Sequence, residues 1–405
     1  MTAPKLRFKE FDKKWDLKNL GDCFNLFSGY AFPSSASVDN GIKWLKIADV
    51  GIQEMTPNNL SFLPNDFKAK FPQFIVSKND YVIALTRPIL NKKLKIAKVG
   101  EFYDGALLNQ RVAKIVSDNN NLDFIYSLLQ KSKTVEELEN SIAGTDPPNL
   151  SLNEVKGIVL GIPKVEEQTK IASFLSNVDE KITQLTQKHE LLSQYKQGMM
   201  QKLFNQQIRF KADDGSEFGE WEKVKLGSLL IKHDEKTEFN NQYPVLTSSR
   251  HGIYFQKDYF AGQDVASSDT TGYNVVPYDY FTYRHMSDDL VFKFNINTIC
   301  PKGIVSTLYP VFTVKDEHLN KYFLQTILNE GQEFKNFAIM QKQGGSRTYM
   351  YFSKLSELVL TIPCLEEQTK IANFLSSIDQ KIDVVAQQIE QAKLWKKGLL
   401  QQMFV

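Results

Sequence analysis

Residues 162–182 read IPKVEEQTKIASFLSNVDEKI, and residues 362–382 read IPCLEEQTKIANFLSSIDQKI. The two stretches lie 200 residues apart, align without a gap and share 15 of 21 positions. In each copy a proline precedes Glu-Glu-Gln and a long proline-free run follows. That is a helix start, because proline suits the first turn and carboxylates suit the positive end of the helix dipole. The apolar positions then alternate four and three apart. They run Ile171, Leu175, Val178, Ile182, Leu185 in the first copy and Ile371, Leu375, Ile378, Ile382, Val385 in the second. This heptad seam predicts long helices packed in a coiled coil. At 1.5 Å per residue, the run from Glu166 to Phe204 spans ~58 Å. Phe174 and Phe374 lie beside the seam, as do Tyr195 and Trp395, and they widen the apolar face. Each helix therefore needs more than one neighbour, and the seam with its flanking Phe residues is also the candidate surface for a partner protein. Lys196 and Lys396 fall at one equivalent seam position. We read them as snorkelling lysines near frayed ends, with a register-fixing polar pair as the alternative.

Working outward, a second echo opens each half. Arg7-Phe8-Lys9 leads to Trp15 and Leu20-Gly21, and Arg209-Phe210-Lys211 leads to Trp221 and Leu226-Gly227. The stretches between these landmarks do not align. A constant frame used twice around two dissimilar inserts points to one scaffold presenting two specificities. The predicted fold class is α+β: two globular recognition domains separated by two long antiparallel coiled-coil helices, with an internal pseudo-twofold repeat. The expected domains are 1–160 and 209–360, each followed by its long helix, 161–208 (with a polar connector) and 361–405.

The chain has 405 residues, 42% apolar and 24% charged, as in ordinary folded proteins. No run approaches the ~18 apolar residues of a membrane span, and residues 1–10 lack the apolar core of a secretion signal. Cys23, Cys300 and Cys364 are far apart, which argues against a disulfide scaffold or thiolate zinc site and fits a reducing cytoplasm. The net charge of +2 requires any positive field to be local.

Both inserts carry short β-like runs broken by turn residues, for example at 42–50, 81–85, 112–116, 280–283 and 303–314. Each also has one helical run, near 122–129 and 318–329. In the first insert Arg87, Lys92, Lys93, Lys95 and Lys98 form a basic stretch suited to phosphate contacts, unless it is only a solvated strand pair. Asn109, Gln110 and Arg111 group three side chains able to contact adenine or guanine edges. In the second insert Arg250-His251, Arg284-His285 and Ser346-Arg347 sit beside turn residues. These thirteen residues, Lys98 aside, are the candidate DNA contacts.

Asp146-Pro147-Pro148-Asn149 is close to the Asp-Pro-Pro-Tyr motif of amino-methyltransferases but lacks the ring that stacks on the target base. It reads as a proline turn, and Asp146…Glu154-Val155-Lys156 reads as a chance likeness to a nuclease metal site. There is no phosphate-binding Gly-rich loop, no His-Glu-x-x-His and no metal-ligand spacing among the five histidines. We therefore expect no catalytic residue, metal or cofactor in this chain.

The doubled Ile-Pro-x-x-Glu-Glu-Gln-x-Lys-Ile-Ala-x-Phe-Leu pattern, each copy closing a variable segment that opens with Trp…Leu-Gly, resembles the specificity subunit of bacterial type I restriction–modification systems. The resemblance spans the whole chain. It implies two target-recognition domains, each reading one half of a bipartite asymmetric site in double-stranded DNA. It implies helices that set the spacing and dock two methyltransferase subunits. Those partners would carry S-adenosylmethionine and methylate adenine. Restriction subunits, ATP-dependent translocases and endonucleases using Mg2+, would join them. No base-reading residue carries over, because the family's recognition domains vary. Two alternatives stand beside it: a coiled-coil adaptor that binds only proteins, favoured by the low net charge, and a silent or orphan specificity gene. The ruler idea predicts that four residues inserted in either seam lengthen the DNA spacer without changing either half-site.

Overall fold

The computed structural model describes residues 3–405 except 58–59, 143, 145, 152, 154–155, 261–266 and 343–346. Both Glu-Glu-Gln copies start long helices, Val165–Phe204 and Leu365–Gln402. The chain divides into two compact units, one of Met1–Lys188 with Val385–Val405 and one of His189–Val384. Each long helix thus contributes one part to each unit, and the unit boundaries fall within the helices.

In the first unit the two helix segments run antiparallel. The backbone N–H of Leu6 bonds the carbonyl of Gln402 near the end of the second helix, while Arg7 binds Glu167 at the start of the first. Further along the first helix, Asp179 meets Lys396, earlier on the second. Ile171, Leu175 and Val178 share one core with Leu399, Leu400 and Met403, and with Trp15, Phe124 and Leu128 of the globular part. The second unit repeats this with Ile371, Leu375 and Ile378 against Met200, Leu203, Trp221, Phe323 and Leu324. Burying each such side chain contributes about 1.5–3 kcal/mol. The seam is therefore core. This corrects the partner-binding expectation for Ile171, Leu175, Val178, Leu185, Ile371, Leu375, Ile378 and Val385, which are buried by the chain itself. Phe174, Ile182, Phe374 and Ile382 are partly buried against the same cores.

The seam lysines also differ from expectation. Lys196 and Lys396 are buried, not snorkelling. Lys196 Nζ lies 2.8 Å from Asp379 of the opposite helix and 2.8 Å from Glu330. Lys396 Nζ lies 2.6 Å from Asp179, with Gln53 and Gln130 as further partners. An ammonium taken out of water needs such partners, so both positions hold polar pairs and not snorkelling side chains.

The two inserts share a topology that their sequences conceal. In the first unit, antiparallel strands lie in the order Asn25–Ser28, Val112–Val116, Tyr81–Ala84, Ile96–Lys98. In the second the order is Leu230–Lys232, Val311–Val314, Phe281–Tyr283, Phe294–Ile296. Beyond each third strand the backbone meets the segment that precedes the long helix. Thr86 bridges Asn149, and Met286 pairs with Tyr349. Segment 303–314 is two strands, Lys302–Val305 and Val311–Val314, because a turn at Ser306–Tyr309 intervenes. Segment 42–50 is the strand Ile42–Leu45 followed by a 3-10 turn, Ile47–Asp49. The expected helices are Leu122–Leu128 and Lys321–Glu330, and each is followed by a second, Ser132–Ile142 and Gln332–Met340.

Candidate nucleic-acid interface

The frame is held by the Glu-Glu-Gln triplet. Glu166 and Glu366 occupy the first helical turn. Glu167 turns inward and receives both Arg7 Nε and Nη2, at 2.7 and 2.8 Å, and Trp15 Nε1 at 3.2 Å. Glu367 receives Arg209 Nε and Nη2, at 3.1 and 2.6 Å, and Trp221 Nε1 at 3.2 Å. Gln168 bonds the Pro163 carbonyl and the backbone N–H of Asn121, the N-cap of Leu122–Leu128. Gln368 does the same with Pro363 and Asn320. The doubled motif and the doubled Arg…Trp opening are thus the two sides of one clamp that seats each variable segment on its helix. Sequence reasoning saw both echoes but did not join them.

In the first unit, the ends of the central strands gather Arg87, Gln110 and Arg111. The Leu85 N–H bonds the Arg111 carbonyl. Arg87 adopts φ 47°, which turns the chain into a hairpin, Ile89–Leu90 with Lys93–Leu94. Asn91 and Lys92 form its tip with φ 51° and 57°, the paired left-handed backbone that a two-residue hairpin turn requires. Arg87, Lys92, Lys93, Gln110 and Arg111 are exposed. Neither arginine has an ion-pair partner among the described residues. Two other sequence candidates, Lys95 and Asn109, are engaged elsewhere, as is Lys98 of the same basic stretch. Lys95 turns inward to the Ile47 carbonyl, where burial pushes its pKa down. Lys98 pairs with Asp123. The Asn109 side chain accepts from the Arg111 N–H and shapes the turn. Tyr30, missed in sequence, is exposed beside this group, and its carbonyl accepts the Gln110 N–H. No local pattern distinguishes it from a core tyrosine.

In the second unit the structure brings Arg250, His251 and Arg284 together around one concavity of about 310 Å³, with Ser249 and Lys293. Arg250 stands on the turn joining Leu246–Ser249 to Gly252–Phe255, and its Nη2 lies 2.7 Å from Asp289. The Arg250 and Ser287 hydrogen bonds hold the Asp289 carboxyl down at about 2. Arg347 Nε lies 2.8 Å from the neighbouring Asp288. His285 is corrected out of the candidate contacts. It is buried, its Nδ1 faces the Leu308 carbonyl, and its ring stacks 5.0 Å from Tyr351. Ser346 lies outside the described residues, as does the Glu154-Val155 pair. Tyr349 and Tyr351 are exposed and stacked, another feature the sequence did not single out.

The family model for the type I restriction modification DNA specificity domain matches residues 12–193 and again residues 219–394. The chain belongs to this family. Each matched span takes in one variable segment with its Trp and Glu-Glu-Gln landmarks and most of the long helix that follows. The chain is similar to the specificity subunit of the type I restriction enzyme MjaVIII of Methanocaldococcus jannaschii, 31% identical over 204 residues, covering 50% of this chain and 48% of that one. It is also similar to the EcoAI specificity subunit of Escherichia coli, 29% identical over 175 residues, covering 43% of this chain and 29% of that one. The chain thus spans about half or less of these relatives' lengths. In fold it resembles the crystal structure of a type I restriction–modification S subunit from M. genitalium, with a TM-score of 0.61, 15% identity, and 100% and 99% of the two chains covered. In the terms of this family, the two specificity domains share a frame and a sheet topology and differ in the side chains they expose.

Proposed function

We propose that this chain is the sequence-specific DNA-binding specificity subunit of a type I restriction–modification complex. Each unit reads one half of a bipartite, asymmetric site in double-stranded DNA. Two methyltransferase subunits, carrying S-adenosylmethionine, methylate adenines in the two half-sites. Restriction subunits supply the ATP-dependent cutting of unmethylated DNA. The chain itself is non-catalytic and positions its partners. One observation carries this reading. The same clamp and the same four-stranded sheet recur twice, yet the exposed polar groups differ, with Arg87, Arg111 and a lysine hairpin in one unit and the carboxylate-held Arg250 and Arg347 in the other.

With the seam buried, the apolar groups available to a partner are others. Leu394 and Trp395 are exposed in the first unit, and Leu191 and Tyr195 in the second. Trp395 rests edge-on against Phe174 at 6.0 Å. Exposed aromatic and aliphatic groups beside a rigid helix suit protein association. Trp395→Ala and Tyr195→Ala are each expected to weaken methyltransferase binding at least tenfold by titration calorimetry, while thermal unfolding changes little.

The function is tested by sequencing adenine methylation in the source strain with and without this gene. Loss of methylation from one bipartite motif, on both strands, is the expected result. Unchanged methylation in a strain whose partner subunits are expressed would contradict it.

A further inference from the structure

We propose that the second unit reads guanine through two arginines that Asp288 and Asp289 hold in place; this rests on the DNA-reading role above. Arg250 comes from a hairpin turn and Arg347 from the segment before the strand Thr348–Tyr349, yet both converge on one dipeptide. The pairs are not there for stability. All four side chains are about half exposed, between 49 and 60%, and ion pairs so exposed to solvent add little to folding. What they do supply is direction. Asp289 Oδ1 is itself fixed by the Ser287 hydroxyl at 2.9 Å and the Val291 N–H at 3.3 Å, so the guanidinium it holds has a set orientation.

The chemistry left over selects a base rather than a phosphate. Asp288 takes the Nε of Arg347, which leaves both of its Nη groups. Asp289 takes one hydrogen of Arg250 Nη2, which leaves Nη1 and the other Nη2 hydrogen. Two parallel N–H donors match the O6 and N7 acceptors of guanine in the major groove, and no other base offers two acceptors there. A phosphate is attracted by net charge, and an arginine paired with a carboxylate has almost none to offer. Arg284 and Lys293, which line the same concavity and have no ion-pair partner among the described residues, are the phosphate-type groups. Asp288 and Asp289 are positioning residues, and Arg250 and Arg347 the readers.

The test uses the full chain assembled with its methyltransferase subunits. Randomised duplexes are selected by binding, and the half-site of the second unit is assigned by replacing that unit's variable segment. The expected half-site contains guanine, and 7-deazaguanine there lowers affinity about tenfold. Arg250→Ala or Arg347→Ala should abolish that sensitivity at one position while leaving the dependence of affinity on salt unchanged. Asp289→Asn should relax base preference at the Arg250 position, and Asp289→Glu should restore part of it. A merely structural carboxylate would not move the preference at a single base. A second half-site without guanine, indifference to 7-deazaguanine, or a salt slope reduced by about one in Arg250→Ala, the mark of a phosphate contact, would each overturn the proposal. Failure to select any bipartite motif would overturn the DNA-reading role as well, whereas a bipartite motif lacking guanine in this half would overturn the guanine assignment alone.

Discussion

Glu167 and Glu367 sit at the point where each recognition segment meets its helix, and both are buried. Each carboxylate satisfies an arginine fork and an indole N–H at once, so removing it strands a guanidinium. Removing one member of a buried ion pair costs about 3–5 kcal/mol. Glu167→Ala and Glu367→Ala should each lower stability by that order in urea unfolding. With Glu167 in place, Arg7→Lys should retain only part of the pair's contribution, because an ammonium cannot engage both oxygens in parallel. The Arg250–Asp289 pair behaves differently. A carboxyl held at about 2 contributes above its free value of ~3.9 and loses that contribution as pH falls through about 2. The pair should therefore be intact throughout neutral pH. Carboxyl-carbon NMR should place the Asp289 midpoint near 2, and a midpoint near the free value would contradict the fixed orientation. At this scale the sequence was partly legible. Arg87, Lys92, Lys93, Gln110, Arg111, Arg250, His251, Arg284 and Arg347 are exposed as expected. Lys95 and His285 are not, because a residue at a strand end faces core or solvent according to register, which no local pattern reveals.

At the scale of elements, the buried lysines tie the two helix segments of each unit together. Lys196 bridges Asp379 and Glu330, and Lys396 meets Asp179. Asp379→Ala should destabilise by roughly 1–3 kcal/mol in denaturant, the cost of a buried donor losing a partner. Replacing Lys196, Asp379 and Glu330 together by apolar residues should cost much less, because both the desolvation penalty and the attraction are removed. A single variant as stable as the parent would show that the pair ties nothing together. The heptad spacing made the helices and their start legible, since 3.6-residue periodicity is a direct imprint of a buried face. The lysines were misread because the same spacing also fits a solvated end, and their carboxylate partners are remote in sequence. The shared sheet was invisible for a related reason. Its strands are three to five residues long, and the register is carried by backbone hydrogen bonds that permit almost any side chain.

At the scale of the whole molecule, the frame repeats while the exposed chemistry does not. The clamp, the antiparallel helix packing and the strand order are the same in both units, so the frame and the exposed polar groups are made of different atoms. This separation predicts that the variable segment of one unit can be replaced without disturbing the other. The most direct measurement is the adenine-methylation motif made by the assembled complex after residues 228–350 are replaced by the corresponding segment of another family member. The account predicts a new sequence in one half of the motif and the original sequence in the other. Alteration of both halves, or of neither, would contradict it.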